Sequence, residues 1–463
     1  MTERGGPAGS GEPLLSVRDL EKHYPIEEGF LSRRVGTTRA VDGISFEIYP
    51  GETLGLVGES GCGKSTAARS IVRLDEPTGG EVIFNGDGRG RAERNDDGTH
   101  PNDVTRFDRA ELKAFRRDVQ MIFQDPASSF DPRMTVGSAV AELLSVHGMT
   151  DGRRRRGIVE NLLERVGLSA TDYDRYPHEF SGGQKQRVAL ARALVLNPDL
   201  VIADEPVSAL DMSVQAEVLS LIEELQATFG LSLLFISHDM SVIERICDRV
   251  AVMYLGELVE VGPVEEIFAE PQHPYTEALL SSVPTPDPRA ERERIELSGA
   301  VPDPADPPDG CRFHTRCHRV IQPEGIDLEQ PVWRRLLDFR ELVVSGAIDI
   351  ESLRDRAATD AAPEEGDPVA EGAVSVAERI RDEFDLPRRL SDPTAERALG
   401  DAIGELLEGD TEAAAERLAS VIVTPCETTV PGWTDHGNGH RSSCLRHRPE
   451  GRPIAPDPAT DDR

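Results

Sequence analysis

The run Gly58-Glu59-Ser60-Gly61-Cys62-Gly63-Lys64-Ser65-Thr66 fits G-x-x-x-x-G-K-[ST], a pattern whose chemistry is phosphate binding. Glycines let backbone N–H groups wrap an anion without Cβ clashes. Lys64 is then placed for β- and γ-phosphates, Ser65 for Mg²⁺, and the following helix adds the positive end of its dipole. Cys62 reads as a small spacer, not a nucleophile. A second element, Asp199–Glu205 (DLVIADE), is apolar and ends on two carboxylates. Asp204 is the candidate Mg²⁺ ligand and Glu205 the candidate general base that polarises an attacking water. The third is Ser181-Gly182-Gly183-Gln184, where Ser181 can cap a helix expected from Lys185 to Leu196. Its Gly-Gly amides offer another anion site.

These side chains need elements to hold them. From Leu14 to about Pro288, strands alternate with helices, which predicts a layered α/β domain over 14–288. Ile44–Ile48, Thr53–Val57, Val119–Phe123, Leu200–Ala203 and Ser232–Ile236 read as buried strands. Thr53–Val57 leads directly into the phosphate loop. Val214, Val218, Leu221, Ile222 and Leu225 recur at helical spacing and predict a core-facing helix. Residues 86–109 break the order with Gly, Asp, Asn and Arg and read as a solvated insertion without a function. A helical block, Val136 to Val166, is interrupted by Arg153–Arg156, which reads as an exposed helix start. Residues 1–13 are a loose tail, 289–310 a Pro/Asp linker, and 311–463 an extension with four cysteines. Within it, the acidic stretch 318–425, with helical segments such as Asp401–Ile422, reads as an inserted module without a catalytic constellation.

The 463 residues carry 51 Lys+Arg against 84 Asp+Glu, a formal charge of −33, which excludes wholesale electrostatic binding to nucleic acid or anionic lipid. Only four basic residues are lysines: Lys22, Lys64, Lys113 and Lys185. A GC-rich genome would explain arginine over lysine but not the carboxylates, so the composition is read as halophilic. No run reaches the ~18–20 apolar residues of a membrane span, and the N-terminus lacks an apolar signal core. The expectation is a soluble, cytosolic chain.

Further residues complete an ordered set that resembles the ATPase subunit of an ABC transporter. Tyr24 matches the aromatic that stacks on adenine, and Gln124, in Phe123-Gln124-Asp125-Pro126, the glutamine that touches Mg²⁺ and faces the membrane subunit. Ser208-Ala209-Leu210-Asp211 matches the loop crossing between two ATPase domains, and His238, in Ser237-His238-Asp239, the switch histidine. Phe180 stands for the usual Leu before the signature, and Val207 for a common Thr. The resemblance implies a P-loop cassette with a parallel-sheet core, an antiparallel β subdomain, and a helical subdomain over about 125–185. It further implies a dimer with a like or paralogous subunit, in which Ser181–Gln184 of one chain meets ATP on the loop of the other.

Tyr254–Gly262, Ile267-Phe268, Pro271–Thr276, His178-Glu179-Phe180 and Cys311–Cys317 resemble the oligopeptide/dipeptide importer ATPases, over roughly 14–320 and 424–446. That implies two permease subunits, indirect service to an external substrate-binding protein, and a peripheral place on the cytoplasmic membrane face. Nucleic acid is not an expected partner. Related importers carry nickel or sugars, so the cargo is less defined than the machine. By itself, His273-Pro274-Tyr275 announces only a helix start at an extended X-Pro step. The alternatives are a soluble ABC ATPase of chromosome maintenance or translation, and a metal-cluster regulatory protein. The first lacks its long coiled coil or second cassette here.

Cys311, Cys317, Cys426 and Cys444 remain after Cys62 and Cys247 are assigned to the cassette. Four thiolates suit an iron–sulfur cluster or zinc, and spacing alone is a weak signal. The resemblance strengthens it, because peptide-importer ATPases often end in four cysteines. A 4Fe–4S cluster ranks first, then unliganded thiols, then zinc, to which His314, His318 or His440 could contribute; a disulfide is disfavoured in a reducing cytosol.

Overall fold

In a computed structural model, residues 11–28, 33–86, 92–125, 130–283, 294–297, 299–348, 376–447 and 452–453 are described. Most of the N-terminal tail, much of the linker, Pro126 and part of the acidic insertion lie outside them. The chain divides into two compact units: Met1–Arg292 with Pro302–Pro307 and Asp435–Ser443, and Glu293–Val301 with Pro308–Thr434 and Cys444–Arg463.

The first unit is built on an eight-stranded sheet. Its parallel centre is β3 (Thr53–Val57), β5 (Val119–Ile122), β6 (Leu200–Asp204), β7 (Ser232–Ser237) and β8 (Arg249–Tyr254), in spatial order β8-β3-β7-β6-β5. β3, β6 and β7 are buried along their whole length, as uninterrupted apolar runs require when both faces are covered. β9 (Glu257–Pro263) adds antiparallel to β8, and the strands His440–Ser443 and Trp433–Gly437 extend that edge. A three-stranded antiparallel sheet orders β2 (Arg33–Ile48), β1 (Leu15–Glu28) and β4 (Gly79–Phe84). The expected strands all form, Ile44–Ile48 as the end of the longer β2.

α1 (Lys64–Ile71) follows the phosphate loop, and α2 (Arg109–Asp118) opens on an Asp108 capping box. α3 (Val136–Val146) and α4 (Gly152–Arg165) replace the single helical block, with Asp151 capping α4 and Arg153–Arg156 in its exposed first turn. α5 (Gly182–Leu194) starts three residues earlier than expected and stops at Leu194; Asn197, at φ +52°, and Pro198 prevent continuation. α6 (Met212–Phe229) buries Val218, Leu221, Ile222 and Leu225, then ends on left-handed Gly230. α7 (Met240–Ile246), α8 (Val264–Ala269) and α9 (Pro274–Ser281) complete the unit.

The segment 86–109 is not solvated throughout. Asn102, Asp103, Val104 and Phe107 are buried, Asp103 accepts the Val82 amide, and Phe107 meets Phe115 edge-on. The polar composition hides two apolar anchors that pin the insertion's end to the core. Residues 87–91 lie outside the described ones.

The second unit carries α10 (Gln330–Val344), α11 (Val376–Glu383), α12 (Pro393–Glu408) and α13 (Thr411–Val421). Trp333, Leu336, Phe339, Ile380, Leu399 and Leu418 are buried, so the acidic stretch has its own apolar core. Asp401–Ile422 forms two helices because Gly409 adopts φ +91° and closes α12. Among the described residues, no helix is long and apolar enough to cross a membrane.

Candidate active site

The phosphate loop requires glycine at two positions for two reasons each. Gly58 and Gly63 have φ of +155° and +109°, conformations that L side chains rarely adopt. A Cβ at Gly58 would lie 2.1 Å from the Met253 carbonyl oxygen, and at Gly63, 2.0 Å from that of Ala40. The loop is threaded against backbone. Lys64 is buried, and its ammonium donates to the carbonyls of Gly58 (2.7 Å) and Glu59 (2.9 Å). Burial pushes the Cys62 thiol up, consistent with a spacer. The Tyr24 hydroxyl donates to Asp75, and its ring lies 4.8 Å from the Lys22 ammonium.

The carboxylates sit where parallel strands end together. β5, β6 and β7 are adjacent, so Gln124, Glu205 and His238, each just beyond its strand, reach one place. Gln124 Nε2 donates to Glu205 Oε2 at 3.0 Å, and His238 Nδ1 lies 3.0 Å from Glu205 Oε1. Both oxygens of the candidate base are thus held. Glu205 itself has φ +47°, a conformation costing a non-glycine residue about 1–2 kcal/mol. One residue earlier, Asp204 Oδ1 accepts from Ser65 Oγ at 3.0 Å. Burial raises the Asp204 pKa and neighbouring Glu205 raises it further, while Ser65 and Lys64 oppose the shift. A half-buried hydroxyl and a desolvated carboxylate are hard oxygen donors that fit Mg²⁺.

Ser181 and Gln184 cap α5 reciprocally: Ser181 N donates to Gln184 Oε1 at 3.0 Å, and Gln184 N to Ser181 Oγ at 3.4 Å. Gly183 allows close approach to α6, since a Cβ there would lie 2.4 Å from Val214 Cγ1. Ser208 Oγ donates to the Glu205 carbonyl, and Asp211 caps α6, so the Ser208–Asp211 loop is tied at both ends. Gln124, Gly182, Lys185, Glu205 and Leu210 line a cavity of about 150 Å³. A larger groove, about 470 Å³, lies away from the phosphate loop, with an apolar floor including Val72, Met121 and Phe130 and cationic Lys113, Arg116 and Arg192.

One supporting residue escapes sequence reasoning. Tyr275 is fully buried, its hydroxyl oxygen accepts the Glu59 N–H at 2.8 Å, and its ring lies 4.7 Å from Tyr254. Burial pushes its phenol up, so the phenol stays protonated. Its neighbour His273 does start α9, with the ring accepting the Tyr275 amide. No spacing rule connects residue 275 to residue 59; only the Pro271–Thr276 resemblance marks the position.

In the second unit, Cys311 N donates to the Cys426 carbonyl at 2.8 Å. Burial raises the Cys311 thiol well above its ordinary value, and Cys426, Cys317 and Cys444 raise it further. Cys317 is pushed up to about 12, chiefly by burial. The four thiols span 133 residues of sequence. Among the described residues, no group of three or more His, Cys, Asp or Glu side chains is closed around a metal-sized position. His440 is not a spare zinc ligand: its Nε2 is 2.7 Å from Glu260 Oε1, in a buried pair on the first unit's sheet. His314 Nδ1 bonds the Cys311 carbonyl.

The "ABC transporter" family model matches residues 41–208, and "Oligopeptide/dipeptide transporter, C-terminal region" matches 259–322. A domain of unknown function, DUF8228, matches 330–439. The oligopeptide transport ATP-binding protein AppF of Bacillus subtilis strain 168 is 51% identical over 313 residues, 67% of this chain and 91% of that protein. The probable peptide ABC transporter ATP-binding protein y4tS of Sinorhizobium fredii is 49% identical over 310 residues, covering 67% and 84%. The dipeptide transport ATP-binding protein DppF of Escherichia coli K12 is 48% identical over 313 residues, covering 67% and 89%. These relatives do not favour a chromosome or translation ATPase. The chain belongs to the ATP-hydrolysing subunits of ABC transporters, in their oligopeptide/dipeptide branch.

Proposed function

We propose that this chain hydrolyses ATP to drive an importer for oligopeptides or dipeptides, with Glu205 as general base. The observation that carries the reading is Glu205 held between Gln124 and His238, one residue from the Ser65–Asp204 pair. Gly58–Thr66 binds the phosphates, with Lys64 exchanging carbonyl partners for phosphate oxygens, and Tyr24 stacks on adenine. Ser65, Asp204 and Gln124 hold Mg²⁺, which supplies charge neutralisation on the phosphate oxygens. Glu205 takes the proton of the attacking water, and His238 orients Glu205. Ser181–Gln184 binds the γ-phosphate of ATP on a second like or paralogous subunit, and Ser208–Asp211 crosses between the two. The 470 Å³ groove receives a cytoplasmic helix of a permease subunit, with acidic residues facing its arginines, and this places the chain on the cytoplasmic membrane face. A substrate-binding protein outside the cell selects the cargo. Glu205→Gln is expected to keep ATP binding, lower phosphate release by ~10²–10⁴-fold and trap an ATP-bound dimer. Near wild-type turnover in that variant would overturn the base assignment.

Cys311, Cys317, Cys426 and Cys444 form the ligand set of a 4Fe–4S cluster, with zinc second. The fit is all-sulfur, and Thr315 Oγ1, inside the Cys311–Cys317 loop, is buried without a hydrogen-bond partner, a donor suited to a thiolate or sulfide. Brown colour and iron in protein purified without oxygen support the cluster; colourless, iron-free protein removes it. The net charge of −33 marks a salt-adapted chain, so the melting temperature should rise from dilute buffer to molar KCl. A flat response would count against that adaptation.

A further inference from the structure

The second unit's inserted module has no phosphate-binding loop, and spacing gives it no role. Its first helix, however, touches both cysteine-bearing segments. Arg334, on α10, is buried; its Nη1 donates to the His314 carbonyl at 2.8 Å, within the Cys311–Cys317 loop. Nε and Nη2 of the same guanidinium are fixed by Asp338, four residues on, at 3.0 and 2.6 Å. Arg340, six residues later, reaches the other segment. Its Nη1 donates to the Ile422 carbonyl and, at 2.8 Å, to Glu427 Oε2, while Nη2 donates to Glu427 Oε1 at 2.5 Å. Glu427 directly follows Cys426. Thr424, on the other side, donates through Oγ1 to the Ile321 carbonyl at 2.7 Å and accepts the Cys426 amide.

A single helix thus reaches two segments that the sequence holds 108 residues apart, one through a single Arg334 hydrogen bond to a carbonyl and the other through the Arg340–Glu427 fork. Bidentate arginine–carboxylate contacts fix orientation as well as distance, which a lysine cannot do. Apolar burial of Trp333, Leu336 and Phe339 fixes α10 itself, so both arginines have a stationary base. The insertion therefore spaces the ligand loops instead of merely interrupting them.

We propose that α10 is a brace for the four-cysteine site, with Arg334 and Arg340 as positioning residues that fix the Cys311–Cys317 and Thr424–Glu427 segments relative to one another. The inference rests on the reading of the four thiols as one metal or cluster site. The module matched by the domain of unknown function then completes a thiolate site whose halves arrive from distant sequence.

Two measurements on the full chain separate the brace from the site it serves. In the first, hydrogen–deuterium exchange is followed in reduced, metal-free protein. Arg340→Gln should speed exchange in residues 424–428 and Arg334→Gln in 311–317, each selectively, with exchange in 53–72 unchanged. Arg340→Lys should rescue only in part. Unaltered exchange at both loops would overturn the brace. In the second, Co²⁺ is titrated anaerobically and its thiolate charge-transfer absorption recorded. Wild type should give a tetrathiolate spectrum, and Arg340→Gln should weaken Co²⁺ binding by roughly 10–100-fold, as loss of a ligand-supporting contact does. A wild-type chain with no tetrathiolate spectrum would overturn the metal-site reading itself, and an Arg340→Gln chain that binds Co²⁺ as tightly as wild type would overturn positioning by α10.

Discussion

The two units divide the work of backbone and side chain in opposite ways. In the first, the site is made of strand ends and glycines: Gln124, Glu205 and His238 meet because β5, β6 and β7 are neighbours, and Lys64 is aimed by a loop that only glycine can thread. In the second, helices are tied by arginine–carboxylate pairs: Arg340–Glu427 and Arg381–Glu396, partly buried, and Arg417–Glu405 nearer the surface. Strand register, once set by the apolar pattern, fixes where the strand ends fall through backbone hydrogen bonds and not through the site side chains themselves. Ion pairs fix geometry only through the residues that make them. The acid surplus has a structural use in the second unit, where it supplies partners to arginine.

That contrast breaks first at the glycines. Gly63→Ala must both hold φ +109° and relieve a 2.0 Å clash with the Ala40 carbonyl, so it should cost more than about 3 kcal/mol. Gly61 also has positive φ, +83°, but a Cβ there meets nothing within 4 Å. Gly61→Ala should therefore cost only about 1–2 kcal/mol. The urea midpoint of the transition that abolishes ATP binding measures both. Equal losses would show that conformation alone, and not threading against backbone, demands the glycine.

The next smaller effect tests whether side chains matter to the first unit's loop at all. Tyr275→Phe removes the acceptor of the Glu59 N–H while keeping the ring against Tyr254. Losing the acceptor of a half-buried N–H costs about 1 kcal/mol, so thermal stability should fall accordingly. An unchanged melting temperature would return the loop to backbone control alone.

Legibility in the sequence follows the same division. The phosphate loop, the Asp204–Glu205 pair and the signature are readable because contiguous residues carry their geometry, and the strands that hold them are unbroken apolar runs. Ser181 is readable as a cap because an N-cap acts over three residues. Tyr275 is not, since its partner is 216 residues away. Phe107 and Val104 are lost in a polar segment, where two apolar residues do not make a period. Arg334 and Arg340 look like ordinary charges on a helix, because their partners at His314, Ile422 and Glu427 share no spacing with them. His440 passes for a possible ligand for the same reason: Glu260 lies 180 residues upstream.

That last pair carries a side-chain tie into the first unit, and its pH dependence is the smallest of these effects. Burial opposes ionisation of Glu260, but donation from His440 and the amides of Gln272 and His273 outweighs it and holds the carboxyl below its ordinary value. A carboxyl depressed on folding adds stability that is complete above the unfolded pKa, ~4.3, and disappears as pH falls through the lower folded value. Arg441 and Ser442 pair with Val261 and Glu260 across this edge, so the loss should appear as detachment of the His440–Ser443 strand. Tryptophan emission in a Trp333→Phe background is a suitable reporter, because it leaves Trp433, at the start of the hairpin's first strand, as the sole indole. With Glu260 intact, the Trp433 signal should change between about pH 4.5 and the lower folded pKa, whereas Glu260→Gln, which cannot ionise, should show no transition in that window. A Glu260→Gln profile that still follows the Glu260 parent would assign the acid transition to other carboxylates and leave the first unit's edge to backbone pairing.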